Sequence, residues 1–508
     1  MTVTAAICGL SARKVTVEAD ASEGMPLFQM VGYLSSEVRE AQDRVRTALK
    51  NAGYHLPVKR ITVNLAPADL RKEGSGYDLP IAVSVLAAIG VVSSSDLEGV
   101  LLAGELSLNG RLHGIRGILE IVSNARAFGC HTCILPNENL AEGSVIRDVR
   151  VLGADTLQEV VSWLNGEGKL QSMTVDLEQA RARQERKNLP DFKDIRGQMT
   201  LKKAAETAVA GFHNLLIIGP PGAGKTMTAH CIPSILPPVT IEEALEISRI
   251  HSVAGTLPPQ EGLMLVRPFR SPHHTATRPA LAGGGTVPRP GEISLAHRGI
   301  LYLDELPEFQ KETLEILRQP LEDHRIVLSR TMGNYTFPAH FMLVASMNPC
   351  KCGYFPDRSR CSCSIPEVKR YLNHISQPLL DRIDICAEAE EVTYDELSGE
   401  RVEESSAQIR RRVEAARCRQ QERYRGTPFR SNADLDRQGI SRFCRLGTEE
   451  EKLMRLTYEK FHMTGRSYMR VLRVARTVAD LEGSDEIRRP HLAEAIAYRL
   501  QNGKYWKM

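Results

Sequence analysis

Eight consecutive residues carry the plainest chemistry in the chain: Gly219-Pro-Pro-Gly-Ala-Gly224-Lys225-Thr226, a complete P-loop pattern. Glycines at this spacing let backbone N–H groups approach phosphate oxygens, a lysine reaches the β- and γ-phosphates, and a threonine hydroxyl holds Mg²⁺. Further on, Gly299-Ile-Leu-Tyr-Leu-Asp304-Glu305 ends an apolar run in two adjacent carboxylates. Asp304 suits the Mg²⁺ shell, and Glu305 can orient and deprotonate an attacking water. Two acids after an apolar run are common at solvated strand ends. Beside a P-loop they read as catalytic, and the chemistry the two elements imply together is hydrolysis of a nucleoside triphosphate.

That chemistry needs a loop that follows a buried strand and opens a helix. Leu215-Leu-Ile-Ile218 supplies the strand, and a helical pattern follows Thr226. Across residues 189–392, buried-strand runs at 215–218, 300–303 and 341–346 alternate with helical segments, the sign of a parallel α/β sheet. Residues 1–166 alternate strand-like runs (60–65) with short helical patterns (120–128). Residues 167–188 are polar, with too few apolar positions for a core, and predict an exposed helical linker. Residues 393–508 are almost purely helical, and 469–481 has the apolar spacing of a packed helix. The length, 508 residues, agrees with roughly three domains.

Composition excludes several classes. With 42% hydrophobic and 25% charged residues the chain is an ordinary globular one, not a disordered one. The longest apolar run, 79–92, contains Pro80 and Gly90 and is too short to span a bilayer. The first positive charges, Arg13 and Lys14, follow the first apolar segment, the reverse of a signal peptide. These features predict a soluble, cytoplasmic chain with no membrane partner. Lys plus Arg is 65 against 62 Asp plus Glu, a formal charge of +3, so any nucleic-acid surface must be local.

The 11 cysteines are too dilute for a disulfide scaffold, but Cys350-Lys-Cys352 and Cys361-Ser-Cys363 gather four of them. Four thiolates could bind Zn²⁺ tetrahedrally as a structural clip. The Cys-x-Cys spacing is tighter than the usual Cys-x₂-Cys, so buried free thiols or a redox-labile pair remain open readings. Cys130-His-Thr-Cys133 has no partner pair and reads as part of a packed strand. The histidines form no HExxH, and His273-His274 read as loop residues. The basic stretch 410–425 is interrupted by Glu414 and Glu422; it fits phosphate contacts or a solvated helix equally.

Longer motifs surround the acidic strand. Glu305 continues into Leu-Pro-Glu308-Phe309, and upstream stand Arg267-Pro-Phe-Arg-Ser-Pro-His273-His274-Thr275 and Arg289-Pro-Gly291-Glu292-Ile-Ser-Leu-Ala-His297. Together they resemble the magnesium-chelatase-like AAA+ ATPases, and within them the bacterial ComM (YifB) family, over essentially the whole chain. The resemblance implies an α/β fold: an AAA+ P-loop core at 189–392 and a carboxy-terminal helical lid at 393–508. It implies ATP and Mg²⁺ as ligands, with the nucleotide held by Gly219, Pro220, Pro221, Gly222, Ala223, Gly224, Lys225, Thr226 and Met227. Asp194-Ile-Arg-Gly197-Gln198 would flank the adenine, Asn348 would be sensor 1, Arg382 the arginine finger reaching a neighbour's γ-phosphate, and Arg466 sensor 2. A homo-oligomeric ring, a hexamer, follows from the same resemblance. Residues 267–290, and a hairpin built from 326–329 and 334–337, match inserts that line the ring's pore. Arg267, Arg270, Arg278 and Arg330 could there track a nucleic-acid backbone, or the loops could serve only subunit packing.

The first domain resembles another family. Lys72-Glu-Gly-Ser-Gly76-Tyr-Asp-Leu-Pro-Ile and Gly104-Glu-Leu-Ser-Leu-Asn-Gly110-Arg111-Leu-His-Gly-Ile-Arg-Gly117-Ile-Leu119 are similar to the proteolytic domain of Lon proteases, implying a ribosomal S5 domain 2-like α+β fold at 1–166. That chemistry needs a serine activated by a lysine. The serine position falls on Gly76 and the lysine position on Leu119, so the domain is expected to fold without proteolysing. The ComM resemblance implies an ATP-driven helicase acting on single-stranded or branched DNA, promoting branch migration during recombination in natural transformation. Two alternatives stand beside it: a protein-remodelling ATPase like the magnesium chelatase subunit, and an ATP-dependent protease, against which the missing dyad counts.

Overall fold

Two sheets organise the chain, each built from a different strand pattern. The computed structural model describes residues 1–185, 189–258, 261–285, 287–330, 333–395 and 403–506. The amino-terminal sheet runs in the order Leu27–Val31, Arg60–Ala66, Ser11–Ser22, Thr2–Cys8, Val100–Leu102, Thr132–Pro136, Arg150–Ala154 and mixes parallel with antiparallel pairs. Its strands alternate: in Arg60–Ala66, Ile61, Val63 and Leu65 are buried while their neighbours are not. Helix Ser36–Asn51 presents Val38, Ala41, Val45, Ala48 and Leu49 to that face, and helix Asp78–Ala88 is buried on nearly every side. Cys133 lies buried in the strand Thr132–Pro136, and Cys130 is buried just before it.

The second sheet is parallel throughout, in the order Phe269–Arg270, Ile300–Leu303, Met342–Met347, Leu215–Ile218, Ile385–Glu388. Its three central strands are buried at every residue, as a sheet covered on both faces requires. Ile218 pairs with Met347 and Leu303 with Ala345, so the P-loop, Asp304 and Asn348 all leave the sheet at one edge. The carboxyl edge of such a sheet is where ligands bind.

Helices Ser406–Arg423, Arg437–Phe443, Thr448–Lys460, Gly465–Leu481 and Arg489–Trp506 follow. Val471, Leu472, Val474, Ala475 and Val478 of Gly465–Leu481 join the same apolar cluster as the core-sheet residues Leu215, Ile217 and Ile385. Among the described residues no helix is long and apolar enough to cross a membrane.

The polar segment after residue 166 differs from an exposed linker. Leu177–Glu185 is a helix, but Ala180 and Gln184 are buried. The Gln184 side chain donates to Leu263 O and accepts from Leu265 N, both at 2.7 Å, and Arg181 donates to Val239 O at 2.8 Å. An amide that pairs with two backbone groups can be buried without a large apolar face. Residues 186–188, at the end of that expected linker, lie outside the described residues, as do residue 286 of the insert and residues 331–332 of the hairpin turn. The flanking strands Arg325–Arg330 and Gly333–Pro338 pair antiparallel, and the Tyr335 ring lies against Gly9 of the first domain.

Candidate active site

The P-loop geometry begins with its glycines. Gly222 and Gly224 both take φ of +79°, a left-handed conformation that L side chains rarely adopt, and Gly224 caps the helix Lys225–Cys231. Lys225 is buried, its ammonium donating to Gly219 O (2.9 Å), Pro220 O (2.7 Å) and Asn348 Oδ1 (2.9 Å). Burial holds its pKa below the ordinary lysine value, although Asp304 and Glu305 pull the other way. Met227 stays exposed beside the loop.

Asp304 closes the site from the neighbouring strand. Its Oδ2 accepts from Thr226 Oγ1 at 3.1 Å, and its Oδ1 accepts from the Glu305 N–H at 3.0 Å and from the Ser346 hydroxyl. Tyr302 OH lies 3.1 Å from that serine. Burial opposes ionisation of Asp304, yet hydrogen bonds from Ser346, Tyr302 and Thr226 keep its pKa below the usual carboxylate range. A hydroxyl and an ionised carboxylate converging at this distance are the hard oxygen donors that Mg²⁺ prefers, so the residues present fit the ion. The orienting role of Ser346 and Tyr302 was hidden in the sequence, where both read only as strand residues. Glu305 is exposed with φ of 52°, and His274 Nδ1 lies 3.7 Å from its carboxylate. His274 sits in a turn, as expected, with its ring tilted against His273, edge-on to Phe309 and facing the expected base.

The Asp194–Gln198 segment also meets the P-loop. Gln198 Nε2 donates to Ala223 O at 3.1 Å and to Glu390 O, while Glu390 N donates back to Gln198 Oε1 at 3.2 Å. The two arginines lie elsewhere. Arg382 is buried, its guanidinium donating to Arg318 O (3.0 Å), Pro378 O (2.6 Å) and Glu322 Oε2 (2.5 Å). Arg466 is exposed and approaches the other oxygen of Glu322 at 3.8 Å.

The four clustered cysteines come together just after Asn348. Cys350 Sγ is 3.3 Å from Cys352 Sγ and 3.8 Å from Cys361 Sγ, Cys352 is 3.6 Å from Cys361, and all four sulfurs lie within 4.8 Å of one another. A thiolate tetrahedron with 2.3 Å zinc bonds has an S–S edge of about 3.8 Å, so the cluster fits a structural zinc site. The tight Cys-x-Cys spacing is accommodated by folding back: Phe355 N donates to Cys350 Sγ at 3.4 Å and Cys361 N to Asp357 O at 2.8 Å. Gly353, in the same loop, takes φ of +90°, and a Cβ there would meet Pro221 Cδ at 2.5 Å. The cysteine loop thus backs the P-loop directly. A second cluster, His324, His340 and Asp434, is already satisfied: His340 Nε2 lies 2.9 Å from Asp434 Oδ1, and Arg298 Nη1, 2.8 Å from His340 Nδ1, brings a charge that opposes a cation.

Residues 191–397 match the model for magnesium chelatase, subunit ChlI; residues 17–139 match that for subunit ChlI of Mg-chelatase, and 403–499 that for its C-terminal part. The chain is 43% identical over 497 residues to the competence protein ComM of Haemophilus influenzae, covering 97% of this chain and 95% of that one. It is 44% identical over 497 residues to YifB of Escherichia coli strain K12, covering 98% and 96%. The chain belongs to the ComM/YifB family. It is a magnesium-chelatase-like AAA+ ATPase, of a family that uses ATP and Mg²⁺. A weaker, partial similarity links it to a Lon protease of Chloroflexus aurantiacus, 28% identical over 161 residues, 29% of this chain and 19% of that protease.

Several expected surface residues of this family member are committed internally. Arg267 is not a free pore cation: it donates to Pro237 O (2.8 Å), Arg298 O (2.8 Å) and Glu243 (2.7 Å), and burial lowers its pKa. Arg270 is held bidentately by Glu292 of the Pro-Gly-Glu motif at 2.6 and 2.7 Å. That motif is structural: Gly291 packs where a Cβ would meet Gly283 N at 2.3 Å, and buried His297 accepts from His340 N at 3.0 Å. Arg278 and Arg330 remain exposed. In the basic helix Ser406–Arg423, one face is buried and several arginines are ion-paired, with Arg412 bridging Glu206 and Glu404, Arg410 on Glu414 and Arg423 on Asp480. In the Lon-like segment a side chain at Gly76 would meet Ile115 Cδ1 at 2.8 Å, and Leu119 is fully buried. Ser75 donates to Glu105.

Proposed function

We propose that this ComM/YifB ATPase is a cytoplasmic motor, assembled as a hexameric ring, that moves on single-stranded or branched DNA and drives branch migration in recombination. The observation that carries the reading is the meeting of Lys225, Thr226, Asp304 and Asn348 at one sheet edge, with Glu305 beside them. Lys225 would exchange the Gly219 and Pro220 carbonyls for phosphate oxygens, and Thr226 with Asp304 would hold Mg²⁺. A bound Mg²⁺ neutralises charge on the β- and γ-phosphates. Glu305 orients and deprotonates the attacking water while Asn348 steers it. Arg382 is the finger supplied to the nucleotide of the next copy, so turnover depends on assembly, and Arg466, as sensor 2, meets the same Glu322. Cys350, Cys352, Cys361 and Cys363 would hold a structural zinc, which would stiffen the loop behind Pro221. Gly76 and Leu119 leave the Lon-like domain without a dyad.

The similarity to a competence protein supports DNA as the substrate, and the exposed insert cations Arg278, 4.0 Å from exposed Glu312, and Arg330, donating to Gly285 O at 3.4 Å, are placed to meet it. The three ChlI matches favour a second reading, remodelling of a partner protein. ATPase rates with and without single-stranded, duplex and forked DNA separate the two. Stimulation by DNA supports the motor; neither binding nor stimulation would leave protein remodelling in its place.

A further inference from the structure

Arg382 and Arg466 come from different parts of the chain, the segment before strand Ile385–Glu388 and the start of lid helix Gly465–Leu481. Two contacts bring them to one place. Arg499, on the last helix, donates from Nη2 to Asp381 Oδ1 (3.2 Å) and to Ser467 Oγ (3.1 Å), and from Nη1 to Ile383 O (2.9 Å). Asp381 and Ser467 are the chain neighbours of Arg382 and Arg466, so Arg499 fixes the two backbones relative to each other. Glu322, on the short helix Pro320–Asp323, then divides its carboxylate between them, Oε2 to Arg382 at 2.5 Å and Oε1 to Arg466 at 3.8 Å.

We propose that Glu322 is a positioning residue for ATP hydrolysis, orienting Arg382 and Arg466 as a pair. The proposal rests on the reading that Arg382 is a finger for a neighbouring copy's nucleotide and that Arg466 is sensor 2. A lone guanidinium on a long side chain samples many rotamers, and two of them side by side repel. Arg318 O and Pro378 O hold Arg382 Nε and Nη1, and the Glu322 carboxylate completes the fork at Nη2, draws Arg466 toward it and leaves the cluster with a net positive charge for a phosphate. Glu322 is half exposed, with side-chain accessibility of 52%, but Arg382 is buried, so losing the carboxylate also costs folding stability, and Glu322→Gln, which keeps an acceptor, separates that cost from turnover.

The test uses the full-length chain with Glu322→Ala, Glu322→Gln and Arg382→Ala, measuring kcat and KM for ATP and the affinity for a fluorescent ATP analogue. Glu322→Ala lowers kcat about tenfold and leaves nucleotide affinity within about twofold, because the lost interaction acts only in the transition state. Glu322→Gln keeps an oxygen acceptor for Arg382 and recovers most of the rate, to within about threefold of wild type. Adding Glu322→Ala to Arg382→Ala costs less than the roughly tenfold seen alone, since only the Arg466 contact is left to lose and residues acting as a unit are not additive. Wild-type kcat in Glu322→Ala with Arg382→Ala inactive overturns the role of Glu322 alone. A parallel loss of ATP affinity and kcat in Glu322→Ala overturns it too. Normal turnover in Arg382→Ala overturns the finger reading, and the role of Glu322 with it.

Discussion

Asn348 Oδ1 accepts a 2.9 Å hydrogen bond from Lys225 Nζ, joining the end of one strand to the phosphate-binding lysine that follows its neighbour. Lys225 is also held by two P-loop carbonyls, so losing Asn348 leaves the ammonium in place. Asn348→Ala is therefore expected to bind ATP within about threefold of wild type while kcat falls by about tenfold or more, as for loss of a transition-state contact. Nucleotide titration beside steady-state rates checks it; equal losses in binding and turnover would count against the assigned role.

Glu305→Gln should lower hydrolysis by about 10² or more, the usual contribution of a general base, with ATP still bound. The residue sits at φ of 52°, a left-handed backbone that costs a non-glycine residue roughly 1 kcal/mol or more. Such strain persists where the surrounding structure requires it, and here it falls at the residue expected to act on the attacking water. Retained turnover in this variant would remove Glu305 from the chemistry.

Purified protein is expected to carry near-stoichiometric zinc by mass spectrometry. Cys361→Ser should lose the metal and, because Gly353 of the same loop abuts Pro221, weaken ATP binding by about threefold or more through a looser P-loop. Metal-free protein with a wild-type melting temperature would contradict a structural clip.

Acid should destabilise the chain between about pH 6.5 and 4. Burial lowers His251 and His297 from 6.5 to about 4, so both stay neutral in the folded chain while the unfolded chain takes up protons first. Their stabilising effect is whole above pH 6.5 and is lost as pH falls toward 4, at up to about 1.4 kcal/mol per pH unit for each. His251 shows why protonation is resisted: Nδ1 lies 2.8 Å from Thr256 Oγ1 and Nε2 3.1 Å from Leu295 O, a neutral tautomer's pairing. Thermal melting at pH 7 and pH 5 measures this, and an unchanged midpoint would refute it.

What the sequence reveals follows the range of the interactions. The P-loop and the Asp304-Glu305 pair are local patterns, and the parallel sheet is legible because its strands are apolar at every residue. Gln184, buried on Leu263 and Leu265, reads as a linker residue because its partners are backbone groups some eighty positions away. Arg267 reads as a free cation for the same reason: one side chain and three carbonyls neutralise it, and carbonyls carry no sequence signal. Glu322 is invisible beside Arg382 and Arg466 until the fold brings three distant segments together.

The central claim is an ATP-driven motor on DNA, and a labelled four-strand junction tests it most directly. Wild-type protein with ATP and Mg²⁺ should convert the junction to duplex products, whereas Glu305→Gln with ATP, or wild type with a non-hydrolysable analogue, should leave it intact. Active ATP hydrolysis with no junction conversion and no binding to any DNA form would contradict the account.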